Sequence, residues 1–271
     1  MAHLCVPHRA THGHSTRIGS GYGRKSNTLR KEMTISSALA SNKTPFELGI
    51  VLYPRVTLLD FAGPQCSLGL HGNTHLLWKT LEPVKTDLGI SVLPTSTFAN
   101  SRKDLDVLFV PGGMRAADAI KDDEILNFLA EAAKTVRRVT SVCTGSLLLG
   151  AAGLLHGYKA ATHWSYYEAL AATGAEPVHA RVVADRNRLT GAGITAGIDF
   201  GLTLLAELRG EVVAKATQLA MEYDPQPPFQ TESPKSAGPE LIKIVHQMLH
   251  GSPKNCVDAV RRAREARPTS V

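Results

Sequence analysis

Two rhythms of apolar residues alternate along this chain: short, nearly continuous runs, and longer segments in which apolar positions recur every three or four residues. Residues 46–54, FELGIVLYP, predict a buried strand closed by Pro54. In VTLLDFAGPQCSLGLHG (56–72) the Gly63-Pro64 pair predicts a helix opening with proline in its first turn, downstream of Asp60. TDLGISVLPTSTF (86–98) alternates like a sheet segment, and LDVLFVPGG (105–113) reads as a buried strand ending in a Gly112-Gly113 loop. DEILNFLAEAAKTV (123–136) has helical spacing, RRVTSVC (137–143) is a further buried strand, and an apolar helix follows from Ser146. Beyond it, ARVVADRNRLTGAG (180–193) predicts two short strands around DRN, and residues 195–223 a long helical region broken at Gly210. The remainder, 229–271, holds one helix-like stretch, PELIKIVHQMLH, and an Arg-rich end. Strand and helix alternate, so the predicted class is α/β, a parallel sheet sandwiched by helices.

Composition changes this picture mainly at one end. The 271 residues, 43% of them hydrophobic, suffice for one domain with a full core, and no run is long enough to span a bilayer. The net charge of +6 invites a nucleic-acid reading, but residues 1–44 hold Arg9, Arg17, Arg24, Lys25, Arg30, Lys31 and Lys43 against Glu32 alone. The rest of the chain is balanced and gives no electrostatic reason to expect nucleic acid or membrane as a partner. Three readings of residues 1–44 stay open: a disordered basic extension, a mitochondrial transit peptide, or an upstream stretch ahead of initiation at Met33. The expected compartment is accordingly the cytoplasm, or the mitochondrion under the second reading. Cys5, Cys66, Cys143 and Cys256 lack metal-ligand spacing and read as free thiols, with no metal site expected.

Parallel sheets gather their chemistry at the carboxyl ends of the strands, where three loops converge: those bearing Asp60, Gly112-Gly113 and Cys143. The junction SVCTGS (141–146) is a strand-to-helix elbow of the kind that presents a nucleophile on a tight turn. A thiol there faces the positive end of the next helix, which predicts a pKa below the free value of about 8.5. Backbone N–H groups of Gly112, Gly113, Thr144 and Gly145 are candidate donors to developing negative charge. Cys143 also has a plainer reading as a small buried hydrophobe, and Asp60 as a helix cap. His163 is either the base of a Cys-His pair or a packing partner of Trp164, and Asp199 reads as a structural hydrogen-bonder.

The segments SVCTGSLLLGAAGLLHGYKAATHW, LLDFAGP, VLFVPGG, LTGAGITAGIDFGLTLL and QLAMEYDPQPPF together resemble the ThiJ/PfpI superfamily, and within it the isonitrile (isocyanide) hydratases. The resemblance covers residues 46–232. It implies a flavodoxin-like fold with a nucleophile elbow, and a division into an extension (1–44), a ThiJ/PfpI-like domain (45–232) and a C-terminal helical tail (233–271). It also implies a nucleophilic Cys143 assisted by Thr144, with Asp60 as acid/base, hydrating a small-molecule isocyanide to an N-substituted formamide. No cofactor is implied, and a homodimer is. Cys66, Met114, His163 and Trp164 are the expected pocket residues. Cys66 is a departure, since many relatives carry an acidic residue two places after Gly-Pro, a position expected to face the pocket or the dimer interface. Thr144 stands where other members have histidine, which points away from peptidase and amidotransferase chemistry. Alternatives are an enzyme acting on reactive carbonyls through the same thiolate, or a non-catalytic ligand or redox sensor. Related regulators add a helix-turn-helix unit, for which the stretch after Tyr223 is too short.

Overall fold

The computed structural model describes residues 44–267, and the readings made for residues 1–43 and 268–271 lie outside them. A seven-stranded sheet runs in the order β10-β11-β7-β6-β1-β2-β5. Its members are β1 (Phe46–Val51), β2 (Gly72–Trp78), β5 (Ser96–Thr97), β6 (Val107–Val110), β7 (Arg138–Val142), β10 (Val182–Asp185) and β11 (Arg188–Gly191). All pairings are parallel except the β10–β11 hairpin. Two small pairs stand apart: β3 (Val84–Lys85) with β4 (Ser91–Val92), and β8 (Lys159–Ala160) with β9 (Glu176–Pro177).

The strands β6 and β7 read as continuous apolar or small-residue runs because both faces of this sheet are covered by helices. One group pairs α1 (Leu58–Leu68) with α6 (Ala196–Arg209), where Phe200 stacks on Phe109 of β6 at 5.2 Å. The other group is α2 (Ala116–Ile120), α3 (Asp123–Ala132), α4 (Gly145–Ala151) and α5 (Tyr167–Ala172), preceded by a 3₁₀ turn at Trp164–Tyr166. After α7 (Glu211–Ala220) come α8 (Pro234–Met248), kinked at Gly238, and α9 (Ser252–Ala266). Among the described residues no helix is long and apolar enough to cross a membrane.

The α/β class and the parallel sheet are as the sequence predicts, and Gly210, with φ of 94°, ends α6 at the predicted break. Three expectations need correction. First, α1 begins at Leu58, so Pro64 lies inside the helix, where its ring packs on Gly197 of α6, and Asp60 sits in the first turn rather than ahead of it. Second, β2 had no counterpart in the hydrophobic pattern: GNTHLLW does not alternate, because this strand lies towards the sheet edge and is half-exposed. Third, the segment from 233 is not simply a tail. Its second helix, α9, buries Cys256, Val257, Ala259, Val260 and Ala263 against α2, α4 and α5.

Candidate functional site

The order of the sheet reverses between β1 and β6, and the crevice at the carboxyl ends of those strands is where ligands bind in open α/β sheets. The residues after β1, β6 and β7 meet there. Cys143 directly follows β7 with φ of 57°, a left-handed conformation that costs a non-glycine residue energy and persists only when its surroundings enforce it. They do so from both sides. The Cys143 N–H donates to the carbonyls of Gly191 and Ala192 at 3.1 and 3.0 Å. Its carbonyl accepts from Thr162 Oγ1 at 2.9 Å and Ser146 Oγ at 3.1 Å.

Glycines make the close approach possible. A Cβ on Gly145 would lie 2.0 Å from the Val110 carbonyl oxygen, so the start of α4 rests backbone to backbone on the end of β6. A Cβ on Gly112 would lie 2.6 Å from Thr144 N, 2.7 Å from Asp60 Oδ2 and 2.8 Å from Cys143 Cβ. No other residue type fits between the elbow and the carboxylate.

Asp60 is fully buried and does not cap its helix; Thr57 occupies the N-cap. Its Oδ2 accepts from the Gly112 N–H at 2.9 Å, while Oδ1 has no well-formed partner. Burial pushes this carboxyl up to about 7, only partly offset by the Gly112 N–H and by the adjacent Cys143 thiol. The thiol itself contradicts the expectation of a lowered pKa. Burial first, and the neighbouring Asp60 carboxylate second, hold it well above the usual thiol range, although the N–H groups of Thr144 and Ile194 act in the opposite direction. The positive end of α4, a helix of only seven residues, does not outweigh the loss of water around the sulfur of a residue that is only 6% exposed. The pair therefore rests as a thiol beside a carboxyl that titrates near neutrality, the thiol donating to the carboxylate when it is ionised.

The remaining expected residues divide. Thr144 Oγ1 accepts from the Gly113 N–H at 2.9 Å and donates to the Gly113 carbonyl at 3.2 Å, tying the elbow to the loop after β6. The N–H groups of Gly112 and Gly113 are thus directed at Asp60 and Thr144, and the donors that reach the sulfur are Thr144 and Ile194. His163 stacks on Trp164 at 5.6 Å and accepts the Ser165 N–H through Nδ1. Burial holds it down at about 4, so the ring is neutral near pH 7 with its proton on Nε2. Both His163 and Trp164 line a cavity of about 820 Å³ beside the elbow, and neither Cys66 nor Met114 does. Cys66 lies on the exposed side of α1, and Met114, 44% exposed, follows the glycine loop. Asp199 binds Arg181 at 2.6 Å and the Tyr223 hydroxyl at 3.1 Å.

Sequence reasoning missed Tyr53 and Ile194. Tyr53, fully buried at the end of the first strand segment, donates its hydroxyl to the Pro111 carbonyl at 3.0 Å and sets the course of the glycine loop. A tyrosine closing a buried apolar run must find a partner for its hydroxyl, and that was the available signal. Ile194 acts through its backbone and leaves none.

A model of the DJ-1/PfpI family matches residues 59–207. Isonitrile hydratase of Pseudomonas putida is 44% identical over 219 residues, which cover 80% of this chain and 96% of that protein. The HTH-type transcriptional regulator GbdR of Pseudomonas aeruginosa is 29% identical over 193 residues, 68% of this chain but only 52% of the regulator. Among solved structures, a ThiJ/PfpI family protein from Pseudomonas syringae superimposes with a TM-score of 0.77 at 41% identity, covering 82% of this chain and 99% of that one.

Proposed function

The chain belongs to the DJ-1/PfpI family, and on that premise we propose that it hydrates isocyanides to N-substituted formamides. The observation that carries the reading is the Cys143–Asp60 pair, a nucleophile next to a buried carboxyl poised near 7. The likeness to the Pseudomonas putida enzyme over nearly its whole length supports the choice of substrate class.

The chemistry follows from those two groups. As the sulfur attacks the divalent carbon of R–N≡C, the thiol proton passes to the Asp60 carboxylate, so that no free thiolate is needed beforehand. Asp60 then delivers that proton to the same carbon, leaving a thioimidate, Cys143–S–CH=N–R. Water adds to this carbon with Asp60 taking one of its protons and the nitrogen receiving it. Cleavage of the C–S bond releases R–NH–CHO: the hydroxyl oxygen becomes the formamide carbonyl as its proton returns to the departing sulfur. One water is consumed and the pair returns to its starting state. The Thr144 and Ile194 N–H groups stabilise negative charge on the sulfur as it arrives and departs.

The test is formamide formation by the full chain from an aryl isocyanide. The wild-type protein is expected to turn over and Cys143→Ala to give no product. Undiminished turnover by Cys143→Ala overturns the mechanism, and a wild-type protein inert towards every isocyanide overturns the function.

A further inference from the structure

The cavity beside the elbow is far larger than the isocyano group requires. Three of its lining residues touch Cys143 directly: Thr162 and Ala192 hold its backbone, and the Ile194 N–H faces its sulfur. The cavity therefore borders the elbow through residues that hold Cys143, with Ile194 common to its wall and to the surroundings of the sulfur. At about 820 Å³ it falls in the range that encloses drug-sized ligands, and a short alkyl chain would leave most of it to water.

The rings of His163, Trp164, Tyr167 and His179 contribute to its walls and are held by packing on one another. Trp164 is stacked by His163 on one flank and by His246 of α8 on another, at 5.6 and 5.3 Å. Tyr167 packs against His179 with ring centroids 3.8 Å apart. The charges present are matched: Arg181 is bound by Asp199, and the mouth carries one residue of each sign, Glu232 and Lys235. Rigid π faces with no excess charge favour flat, neutral ligands.

Building on the isocyanide reading, we propose that this cavity is the subsite for the organic group of the substrate and that it selects isocyanides bearing a large, uncharged, planar aromatic group. Phenyl isocyanide and 2-naphthyl isocyanide separate this preference from intrinsic reactivity, because they present similar electrophiles on rings of different size. The wild-type protein is expected to favour the naphthyl compound by about tenfold in kcat/KM, mainly through KM. Ala180 lines the cavity from an exposed position, so Ala180→Trp narrows the space without disturbing the core and is expected to abolish or reverse that ratio. Trp164→Ala is expected to lower the ratio by removing a stacking face. Equal constants for the two substrates, or a ratio unchanged in both variants, overturn the subsite while leaving the hydratase reading standing. Turnover of cyclohexyl isocyanide but of neither aryl compound likewise overturns the subsite alone, and absence of turnover with all three overturns both.

Discussion

Cys143 and Cys256 are both buried sulfurs whose pKa is raised, foremost by burial, Cys256 to about 12. Each also receives a backbone N–H, from Ala117 in the case of Cys256. Burial and amide donors therefore do not distinguish a candidate nucleophile from an inert core thiol. Two other features do. Cys143 sits in a strained left-handed conformation that turns its side chain towards the crevice, whereas Cys256 is an ordinary residue within α9. Beside Cys143 stands a carboxyl that titrates near 7, matched to the task of taking and returning a proton; Cys256 has Ser252. The lesson is that a high-pKa thiol can be a catalyst when its base is equally displaced from its ordinary value.

The largest effect is expected from removing that base. Asp60→Asn should lower kcat/KM by roughly 10³ or more, bringing Cys143 close to the inertness of Cys256. In the wild-type protein kcat/KM should fall as the pH drops through about 7, because the protonated carboxyl no longer accepts the thiol proton. Initial rates between pH 5 and 9 should show this limb in the wild-type protein and not in Asp60→Asn; a flat wild-type profile would count against Asp60 as the base. Next in size is Gly112→Ala, whose methyl group would intrude between Asp60 and Cys143. A loss of roughly 10² in kcat is expected, because small displacements of reacting groups are costly. A variant retaining full activity would mean the loop yields freely. The smallest effect belongs to Cys256→Ala. Chemical denaturation should register a loss of roughly 1–2 kcal/mol from the vacated core, with turnover within twofold of wild type.

How much of this was legible in the sequence depends on the kind of interaction involved. The strands bearing VLFV and RVTSV, the elbow at Cys143 and the break at Gly210 could be read because local pattern and tertiary burial demand the same residues there. The start of α1 was misplaced because Pro64, normally a first-turn residue, is accommodated mid-helix by close packing against Gly197 and Gly201. β2 escaped because pairing with β1 and β5, rather than its own alternation, makes it a strand. At the site, the elbow pointed to Cys143 and the family resemblance to Asp60 and Thr144, and the structure places those three near one another. The direction of the thiol shift was misjudged because a helix end is visible in a sequence while the extent of desolvation is not. Ile194 contributes only an N–H, which every residue but proline possesses.

The buried carboxyl has a consequence for the fold itself. Asp60 ionises near its ordinary value of 3.8 once the chain is unfolded and near 7 when it is folded, so between those pH values the native state carries a proton that the denatured state has lost. Its contribution to stability is fully present below about pH 4 and is lost as the pH rises towards 7, by up to about 4 kcal/mol. Unfolding at pH 5.5 should therefore release close to one proton from this residue to the buffer, and the calorimetric enthalpy should change with the heat of ionisation of the buffer chosen. In this sense the hydrogen ion is a ligand of the native state, bound at the residue that the proposed reaction uses to move it.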